Sequence, residues 1–460
     1  MILLFILTIY LPIDSWQNEV LEELQVRGEH FTNFSSIRPY EVKDTKIYED
    51  SQLWNKLWLP NLSLDARYDT VRVLRLKPAL FHEWSSFTIF VQPVVKFGED
   101  SLPPSNEFMD LFSSDYERAY VRFRSKNFSA FVGRERFSLG PSPRYNLLLS
   151  GYSAPMDWLH FSLSTDHLKF SFYLSRLDDM YTKPLEYIGD TITEFINASR
   201  YLSIRRLDFS PTKWLNVSFS EAATFGGENY ALEVYHFNPA ILLHTYQYNW
   251  EKDANLFFHL DARIFLNNLS FYAALFVDDF QLEQDPNNES NHLGFNCGIE
   301  CADFLNLKRT FWIIEYTALS RYIYCHFTPY QRYYYANTPI GSQFGPDYDE
   351  LYTKFVYHLN PKFDLYAQCS YSRKGETTIE TPWPIPEEPR QPGTFFPTDN
   401  FLSGVVQKSF DLGIGIRFFH RQSIFSDLFI GYYHINNFRH EVDNTKNFLS
   451  FRIQLSFIHF

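Results

Sequence analysis

Hydrophobic and polar residues alternate along most of this chain, from residue 69 onward. A period of two predicts β-strands, because successive side chains of a strand point to opposite faces of the sheet. Leu168, Phe170 and Phe172, for example, alternate with Lys169 and Ser171. The clearest further segments are 258–264, 269–277, 293–299, 363–369, 412–418 and 449–457. We count roughly sixteen to eighteen candidate strands, too many for one β-sandwich.

The faces opposite the apolar ones carry Arg, Lys, Asp, Glu, Asn and His. A sandwich would turn these residues to solvent and a barrel would turn them into a polar lumen, so alternation alone does not separate the two folds. Each segment has about 8–10 residues, close to the length that a tilted strand needs to cross a bilayer. Because every backbone amide in lipid needs a partner within the protein, such strands must close on themselves. We therefore predict an all-β fold, a transmembrane antiparallel β-barrel in residues 69–460.

The first 68 residues follow a different pattern. Residues 1–15 form a signal-like apolar segment, too short for a membrane helix of roughly 20 residues. It lacks both the basic residues and the A-x-A cleavage site of a typical secretory signal. Residues 16–68 predict a small helical module ahead of the barrel, with helices at 16–26 and 41–57 separated at Arg38-Pro39. Both helices are too polar to cross a membrane.

Residues 375–400 and 98–114 predict long loops, since the first contains six prolines and the second contains Pro103-Pro104. In a membrane barrel, long loops face outward and short turns face the periplasm. The chain ends at Phe460, and a C-terminal Phe is typical of barrels that the outer-membrane insertion machinery reads. Phe460 shares a face with Arg452 rather than with Phe457, so either a β-bulge shifts the last residues or the terminal Phe is coincidental.

Composition agrees with a barrel. Aromatic residues make up 19% of the 460 residues, with 47 Phe and 31 Tyr. Outer-membrane barrels use such rings in interfacial girdles, and sugar-binding surfaces also use them. Composition alone leaves room for an aromatic-rich soluble β-protein. The net charge of -13 and the lack of a basic stripe argue against nucleic-acid binding.

Each residue that could take part in a reaction or bind a metal also has a purely structural explanation. Cys297, Cys301, Cys325 and Cys369 include no CxxC pair, so we expect small apolar residues and neither a metal site nor a cofactor. Asp278 and Asp279 are neighbours on a strand and cannot easily converge, which favours Asp278 on the lumen face. Ser150 lacks a surrounding G-x-S-x-G, so we expect no catalytic residues.

For two further sets of residues, the sequence fits both a sugar-binding role and a structural role. Glu221 and Glu315 could bind sugar hydroxyls, but pairing with lumen arginines is the favoured interpretation. The run Tyr330 to Tyr335 could stack on sugars or lie in an interfacial girdle. The arginines available for pairing are Arg118, Arg122, Arg124, Arg134 and Arg144.

Residues 133–157 carry motifs that resemble those of the Wzi-type capsule-assembly outer-membrane proteins. The matching residues are Gly133-Arg134, Gly140-Pro141, Leu147 to Ser150, and Ala154-Pro155 with Asp157. Further motifs follow in the family's order over about residues 20–455. They are Leu21 to Gly28, Arg206 to Phe209, Ser220 to Ala222, Asn238-Pro239, Asp278 to Phe280, Glu315 to Thr317 and Gly341 to Asp347.

The resemblance implies an eighteen-stranded barrel in the bacterial outer membrane, with the helical module at its periplasmic mouth. It implies a lectin that attaches capsular or other surface polysaccharide and that carries out no reaction. The expected partners are that polysaccharide, outer-membrane lipid and the insertion machinery, and the expected state is a monomer. The candidate residues for polysaccharide binding or a lumen polar network are Arg134, Arg144, Asp157, Asp208, Glu221, Asn238, Asp278, Glu315, Tyr316 and Asp347. The alternatives are a pore for small solutes and an outer-membrane hydrolase.

Overall fold

The computed structural model describes residues 15–29, 34–40, 62–68, 72–98, 107–109, 112–182, 195–245, 254–279, 291–382, 401–420 and 424–457. The predicted helix at 41–57, the terminal Phe460 and most of the proline-rich stretch lie outside these residues. One α-helix, α1, spans Trp16–Val26 and confirms the first predicted helix. Among the described residues, no helix is both long and apolar enough to cross a bilayer.

The strands are numbered along the chain. They are β1 Ile37–Arg38, β2 Leu62–Tyr68, β3 Arg72–Pro78, β4 Leu80–Trp84, β5 Phe87–Gly98, β6 Glu107–Met109, β7 Phe112–Arg124, β8 Phe128–Glu135, β9 Ser138–Leu139, β10 Met156–Ser164, β11 Leu168–Arg176, β12 Met180–Thr182, β13 Ile196–Thr212, β14 Leu215–Glu228, β15 Asn255–Leu266, β16 Leu269–Asp279, β17 His292–Ala302, β18 Thr310–Leu319, β19 Tyr334–Tyr335, β20 Thr338–Pro339, β21 Tyr348–Asn360, β22 Phe363–Lys374, β23 Gln407–His420, β24 Ile424–Asn436 and β25 Thr445–Phe457.

The strands close into one antiparallel barrel, as predicted. The last strand, β25, pairs with β2, from Leu62 opposite Phe457 to Tyr68 opposite Phe451. β3 and β4 form one wall strand interrupted at Ala79, β12 extends β11, and β6 adds to the edge of β7, so the described part of the wall has 18 strands. Since β2 belongs to the wall, the described part of the barrel begins at Leu62. The predicted boundary at residue 69 was therefore wrong by one strand.

The predicted apolar rows form the outside of the barrel. Leu260, Phe295 and Ile414 are 51%, 42% and 60% exposed on that outer surface, next to buried polar residues on the alternate row. An apolar outside and a polar inside are what a membrane-spanning barrel requires. Phe172 and Leu174 depart from this rule: they belong to an outward row but are buried, because residues 230–243 cover them.

The two ends of the barrel differ. At one end the strands are joined by short turns such as 85–86, 165–167, 213–214, 267–268 and 361–362, which places this end at the periplasm. Helix α1 lies at the same end, since it contacts Arg417 and His358 close to the turns after β23 and β21. The opposite end carries the long connections, among them 136–155, 320–347 and 229–254.

Two adjacent glycines in β14 give a test of how tightly the wall packs. A methyl group on Gly226 would lie 2.0 Å from the carbonyl oxygen of Ser199, whereas one on Gly227 would meet nothing closer than 4.0 Å. Both glycines have positive φ, +159° and +147°, so alanine strains the backbone at both positions. We expect Gly226→Ala to lower the free energy of unfolding by roughly 1–3 kcal/mol more than Gly227→Ala. Urea unfolding followed by gel mobility of the folded barrel measures both; equal midpoints would contradict the close approach.

Candidate functional site

Helix α1 closes the periplasmic end of the lumen through ion pairs. Glu19 lies 2.6 Å from the guanidinium of Arg417 and 2.8 Å from the ammonium of Lys354. Burial alone would raise the pKa of Glu19, but these two positive charges outweigh burial and hold the pKa well below its usual range. Glu23 pairs with Nε2 of His358 at 2.8 Å. The helix is therefore fixed to the inner wall of β21 and β23 by charged contacts.

A second set of contacts centres on Glu22. Its carboxylate lies 2.6 Å from Arg263 of β15, pairs with Arg38 and accepts a hydrogen bond from the hydroxyl of Tyr40 at 2.6 Å. Arg263 also pairs with Glu300 of β17. All of these groups are buried. Helix, wall and the following segment 34–40 thus share one buried charge network.

The segment after α1 extends this network toward the middle of the barrel. Ile37 and Arg38 pair as a short strand with Leu139 and Ser138, which belong to the connection 136–155. Arg38 also donates a hydrogen bond of 3.1 Å to the carbonyl of Gly140. The N-terminal module therefore touches a loop that enters the lumen from the other end.

Connections 136–155 and 320–347 fold into the lumen and pack against each other. The hydroxyls of Tyr324 and Tyr333 donate to the carbonyls of Leu147 and Leu148 at 2.7 and 2.6 Å. These side chains belong to an apolar core inside the barrel, together with inward residues of the wall such as Phe276. The helix from one end and the two loops from the other thus fill the lumen.

One polar cavity of about 410 Å³ remains between the inward loops and the wall of β21 to β25. Its volume falls within the range of about 300–1,000 Å³ that is usual for small-ligand sites. Arg452 keeps 46% of its side chain exposed, so solvent reaches the cavity. The charged residues of its lining are Arg144, Glu350, Asp411 and Arg452, and the aromatic ones include Tyr145, Tyr152, Phe344, Tyr348, Tyr352 and Tyr433.

Arg144 organises one side of this cavity. Its guanidinium pairs with Glu350 and lies 3.9 Å from the centre of the Tyr352 ring. Burial alone would lower the pKa of Arg144, but Glu350 outweighs burial and raises it, so the guanidinium stays charged. On the other side, Asp411 accepts a hydrogen bond of 3.1 Å from Ser370 through one oxygen. Its second oxygen, Oδ1, has no hydrogen-bond partner among the described residues.

Five of the ten predicted residues lie inside the barrel. Arg144 lines the cavity. Glu315 accepts hydrogen bonds from Ser142 and Tyr272, at 2.5 and 2.7 Å. The other three have structural roles: Asp208 is held by Arg206 and Ser218, Asp278 by the amide of Tyr324, and Asp347 by Ser403 and Thr377. Asp278 faces the lumen, as predicted.

The other five predicted residues lie outside the lumen, so a lumen polar network was the wrong prediction for them, and polysaccharide binding stays a prediction. Arg134 and Asp157 are cross-strand neighbours on outward rows and pair at 2.8 Å. Tyr316 is 37% exposed on the outer face and donates to Asp349 at 3.2 Å. Glu221 also points outward, where it meets the connection that contains Asn238. Local motifs identified polar residues correctly but could not tell which side of the wall they occupy.

The arginine pairing predicted for Glu221 and Glu315 was also wrong. Glu221 accepts its hydrogen bonds from backbone amides, and Glu315 accepts its own from hydroxyls. The predicted arginines pair elsewhere, for example Arg118 with Glu135 at 2.7 Å. The carboxylates named in the sequence therefore support loops rather than a row of arginines.

The remaining candidate residues lie in different parts of the barrel and do not form one site. Ser150 donates to the carbonyl of Ile340 inside the barrel, and Glu221 is on the outside, so these two do not form a shared site. The run 330–335 belongs to an inward loop and not to a girdle, since Tyr333 is fully buried. Cys297, Cys301 and Cys369 lie on outward rows as free thiols. Within the described ranges, no three His, Cys, Asp or Glu side chains converge on a possible metal position.

Sequence reasoning missed the aromatic and acidic lining of the cavity, above all Tyr433, Glu350 and Asp411. The inward row of β23 was recognisable from its alternation, and Asp411 is part of it. The cavity itself depends on how five strands align with two loops that return into the lumen, and no local pattern contains that information. The sequence therefore predicted the inward row of β23 but not the cavity that this row lines.

Comparisons with known proteins agree with this architecture. The family description "Capsule assembly protein Wzi" matches residues 78–448. The solved structure of Wzi from Escherichia coli is 13% identical, with a TM-score of 0.68, and the likeness covers 98% of this chain and 100% of that one. That protein is described as a carbohydrate-binding β-barrel of the outer membrane involved in group 1 capsule assembly.

Two Pseudomonas aeruginosa barrels are more distant. OprD and OccD3 are each 10% identical, with TM-scores of 0.46; the likeness covers 86% of this chain in both cases, and 93% and 90% of theirs. At that distance the likeness says nothing about function. No curated protein sequence is similar enough to this chain to count as a match. The family match spans most of the chain and confirms the resemblance seen in the sequence, so this chain belongs to the Wzi family of capsule-assembly proteins.

Proposed function

We propose that this chain is an outer-membrane lectin that binds a capsular or other surface polysaccharide in the cavity bounded by Arg144, Glu350, Asp411 and Tyr433. The observation that carries this proposal is the lining of that cavity, where charged groups and ring faces meet in a space that solvent reaches. The family to which the chain belongs and the filled barrel are consistent with such a role.

The lining suits a sugar. Carboxylates and guanidinium groups form charge-assisted hydrogen bonds with hydroxyls, and Oδ1 of Asp411 is an acceptor without a protein partner among the described residues. Ring faces such as that of Tyr433 cover the apolar face of a sugar ring. A cavity of about 410 Å³ accepts one or two sugar units and not a whole polymer. Many weak contacts along one polymer, shared among many copies of the protein, then give useful avidity.

The chemistry favours binding over reaction. Glycoside hydrolysis uses two carboxyl groups, one of which must be protonated to serve as the acid. Of the two carboxyl groups in the lining, Glu350 is engaged in an ion pair with Arg144, so only Asp411 is left without an arginine partner among the described residues. We infer that the chain holds its sugar without cleaving it. We further expect a monomer that outer-membrane lipid surrounds and that the insertion machinery places in the membrane.

A direct binding measurement tests the proposal. The protein purified in detergent should bind the surface polysaccharide of its own organism in isothermal titration calorimetry, and it should not bind dextran, a neutral glucan used as the control. Fragments of one or two repeat units should compete with the polymer. Absence of binding to every surface polysaccharide of the organism would overturn the proposal.

The filled lumen also allows a test of the alternative function, a pore for small solutes. Because α1 and the two inward loops occupy the lumen, the protein should show no steady conductance in a planar bilayer. An open porin in the same bilayer provides the positive control, and exposure of an inserted tag to added protease confirms that the protein has entered the membrane. Regular, long-lived conductance steps would show that the lumen opens and would favour the pore.

A further inference from the structure

Residues 229–245, here named the outer strap, leave the end of β14 and run along the outside of the barrel. Leu243 of the strap is buried against Phe172 and Leu174 of β11 and against Ala223 and Phe225 of β14. These four wall residues belong to outward rows, and Leu168 and Phe219, farther along the same rows, are exposed. The strap therefore covers the part of this wall that lies farther from the periplasmic turns and that would otherwise face lipid.

Two polar wall residues hold the strap in place. Glu221 accepts hydrogen bonds from the backbone amides of Leu243 and His244, at 2.8 and 3.0 Å. Arg205, its cross-strand neighbour, donates to the carbonyl of Asn238 at 3.2 Å. A carboxylate on the lipid face of a barrel is destabilising unless it is paired. The strap supplies hydrogen-bond donors to the carboxylate of Glu221 and separates this carboxylate from lipid.

The strap presents an apolar surface on its far side. Val234, Leu242 and Phe237 are 87%, 51% and 42% exposed. Among its polar groups, His236 is buried and contacts the hydroxyl of Tyr230 at 3.0 Å. Glu233 is exposed and is the N-terminal cap of the short helical turn 234–237, and His244 is exposed near the end of the strap. Large apolar side chains therefore make up much of the exposed surface of the strap, unlike that of an ordinary surface loop.

This apolar surface continues the lipid-facing belt. Below the strap, on the same strands, Leu207, Phe209 and Phe219 are exposed on the outward rows, and Leu260 follows on β15. We propose that the outer strap is a membrane-inserted element, whose Val234, Phe237 and Leu242 contact the acyl chains of the outer leaflet. The inference concerns how the barrel sits in its membrane and is independent of the sugar-binding proposal.

Nitroxide labels on the full-length protein test this placement. Cys297, Cys301 and Cys369 are first changed to alanine, and single labels are then attached at Val234→Cys and Leu242→Cys. In phosphatidylcholine vesicles, collisions with oxygen, which concentrates in lipid, should exceed collisions with a water-soluble nickel chelate. The ratio of oxygen collisions to nickel-chelate collisions should match that of a label at Leu207→Cys, on the lipid-facing belt that the strap does not cover. It should differ from the ratio at Lys213→Cys in a periplasmic turn.

The outcomes separate the possible neighbours of the strap. A ratio like that of position 213 would place the strap in water and overturn the proposal. Labels shielded from both reagents would show that protein covers the strap and would overturn it as well. Glu221→Ala should loosen the strap and raise label mobility at position 234, whereas Glu228→Ala, at the exposed end of the same strand, should not. Unchanged mobility in Glu221→Ala would overturn the anchoring role of Glu221.

Discussion

Replacing Arg263 by alanine should release helix α1 from the lumen at a cost of about 3–5 kcal/mol, the range seen when one partner of a buried ion pair is removed. Arg263 is fully buried, lies 2.6 Å from Glu22 and also pairs with Glu300. Without it, Glu300 loses its arginine and Glu22 keeps only Arg38, so two buried carboxylates share one positive charge. The backbone ladder of the barrel does not depend on this contact, so the strands should stay folded.

Hydrogen exchange measures this effect directly. In Arg263→Ala, the amides of residues 16–26 should lose protection while those of the barrel strands keep it, and protease should cut the N-terminal module faster. Lys308→Ala is the matched control at the same end, because Lys308 is 77% exposed and lies 3.7 Å from its partner Asp303. Protection in α1 equal to that of the unmodified protein would show that the charge network does not hold the helix.

Replacing Asp411 by alanine should weaken polysaccharide binding roughly ten- to a hundredfold. A hydrogen bond to a charged group contributes about 1.5–3 kcal/mol, and each 1.4 kcal/mol corresponds to a factor of about ten in affinity. Asp411 lines the cavity, and its buried Oδ1 atom has no hydrogen-bond partner among the described residues, so rotation of the carboxylate would offer this oxygen to a sugar hydroxyl. Tyr433→Ala should weaken binding in the same direction through loss of a ring face.

The control for this variant lies on the same strand. Ile414→Ala alters a residue that is 60% exposed on the outward row of β23, so it should leave affinity unchanged. Calorimetry on all three variants, with folding checked by gel mobility, gives the comparison. Equal affinity for Asp411→Ala and Ile414→Ala would show that the sugar binds elsewhere.

The wall could be predicted from sequence because lipid imposes one rule on every strand. Outward residues must be apolar, so alternation survives in β15, β16 and β22 and marks each of them. The exceptions follow the same physics. Phe172 and Leu174 obey the alternation but face the outer strap, and Glu221 breaks it because the strap supplies its hydrogen-bond donors. A single strand cannot reveal a covering segment that follows it in the chain.

The site was predictable only in part. The segment 133–157 was identified by its motifs, and its connection 136–155 enters the lumen, where it contributes Arg144, Tyr145 and Tyr152 to the cavity. The rest of the lining comes from residues 343–452, which meet that segment only after the barrel has closed. Tyr316 illustrates the limit: one position along a strand decides whether a ring lies in the lumen or in lipid.

Because the helix and the loops fill the barrel, we expect this protein to bind its sugar from outside the cell. The two loops that fill the lumen also line the cavity, so the same packing that should block transport shapes the proposed binding site. The N-terminal module reaches the inward loop through Arg38 and Gly140, and this contact supports the loop from below. A rigid plug thus holds the site in one shape before the sugar arrives.

The most direct test is a structure of the protein with a short oligosaccharide of its own surface polymer. The account predicts sugar density in the cavity, with a hydroxyl bonded to Asp411 and a sugar ring against Tyr433, above a lumen that α1 still closes. Density at another place on the extracellular face, with the cavity holding only water, would contradict it.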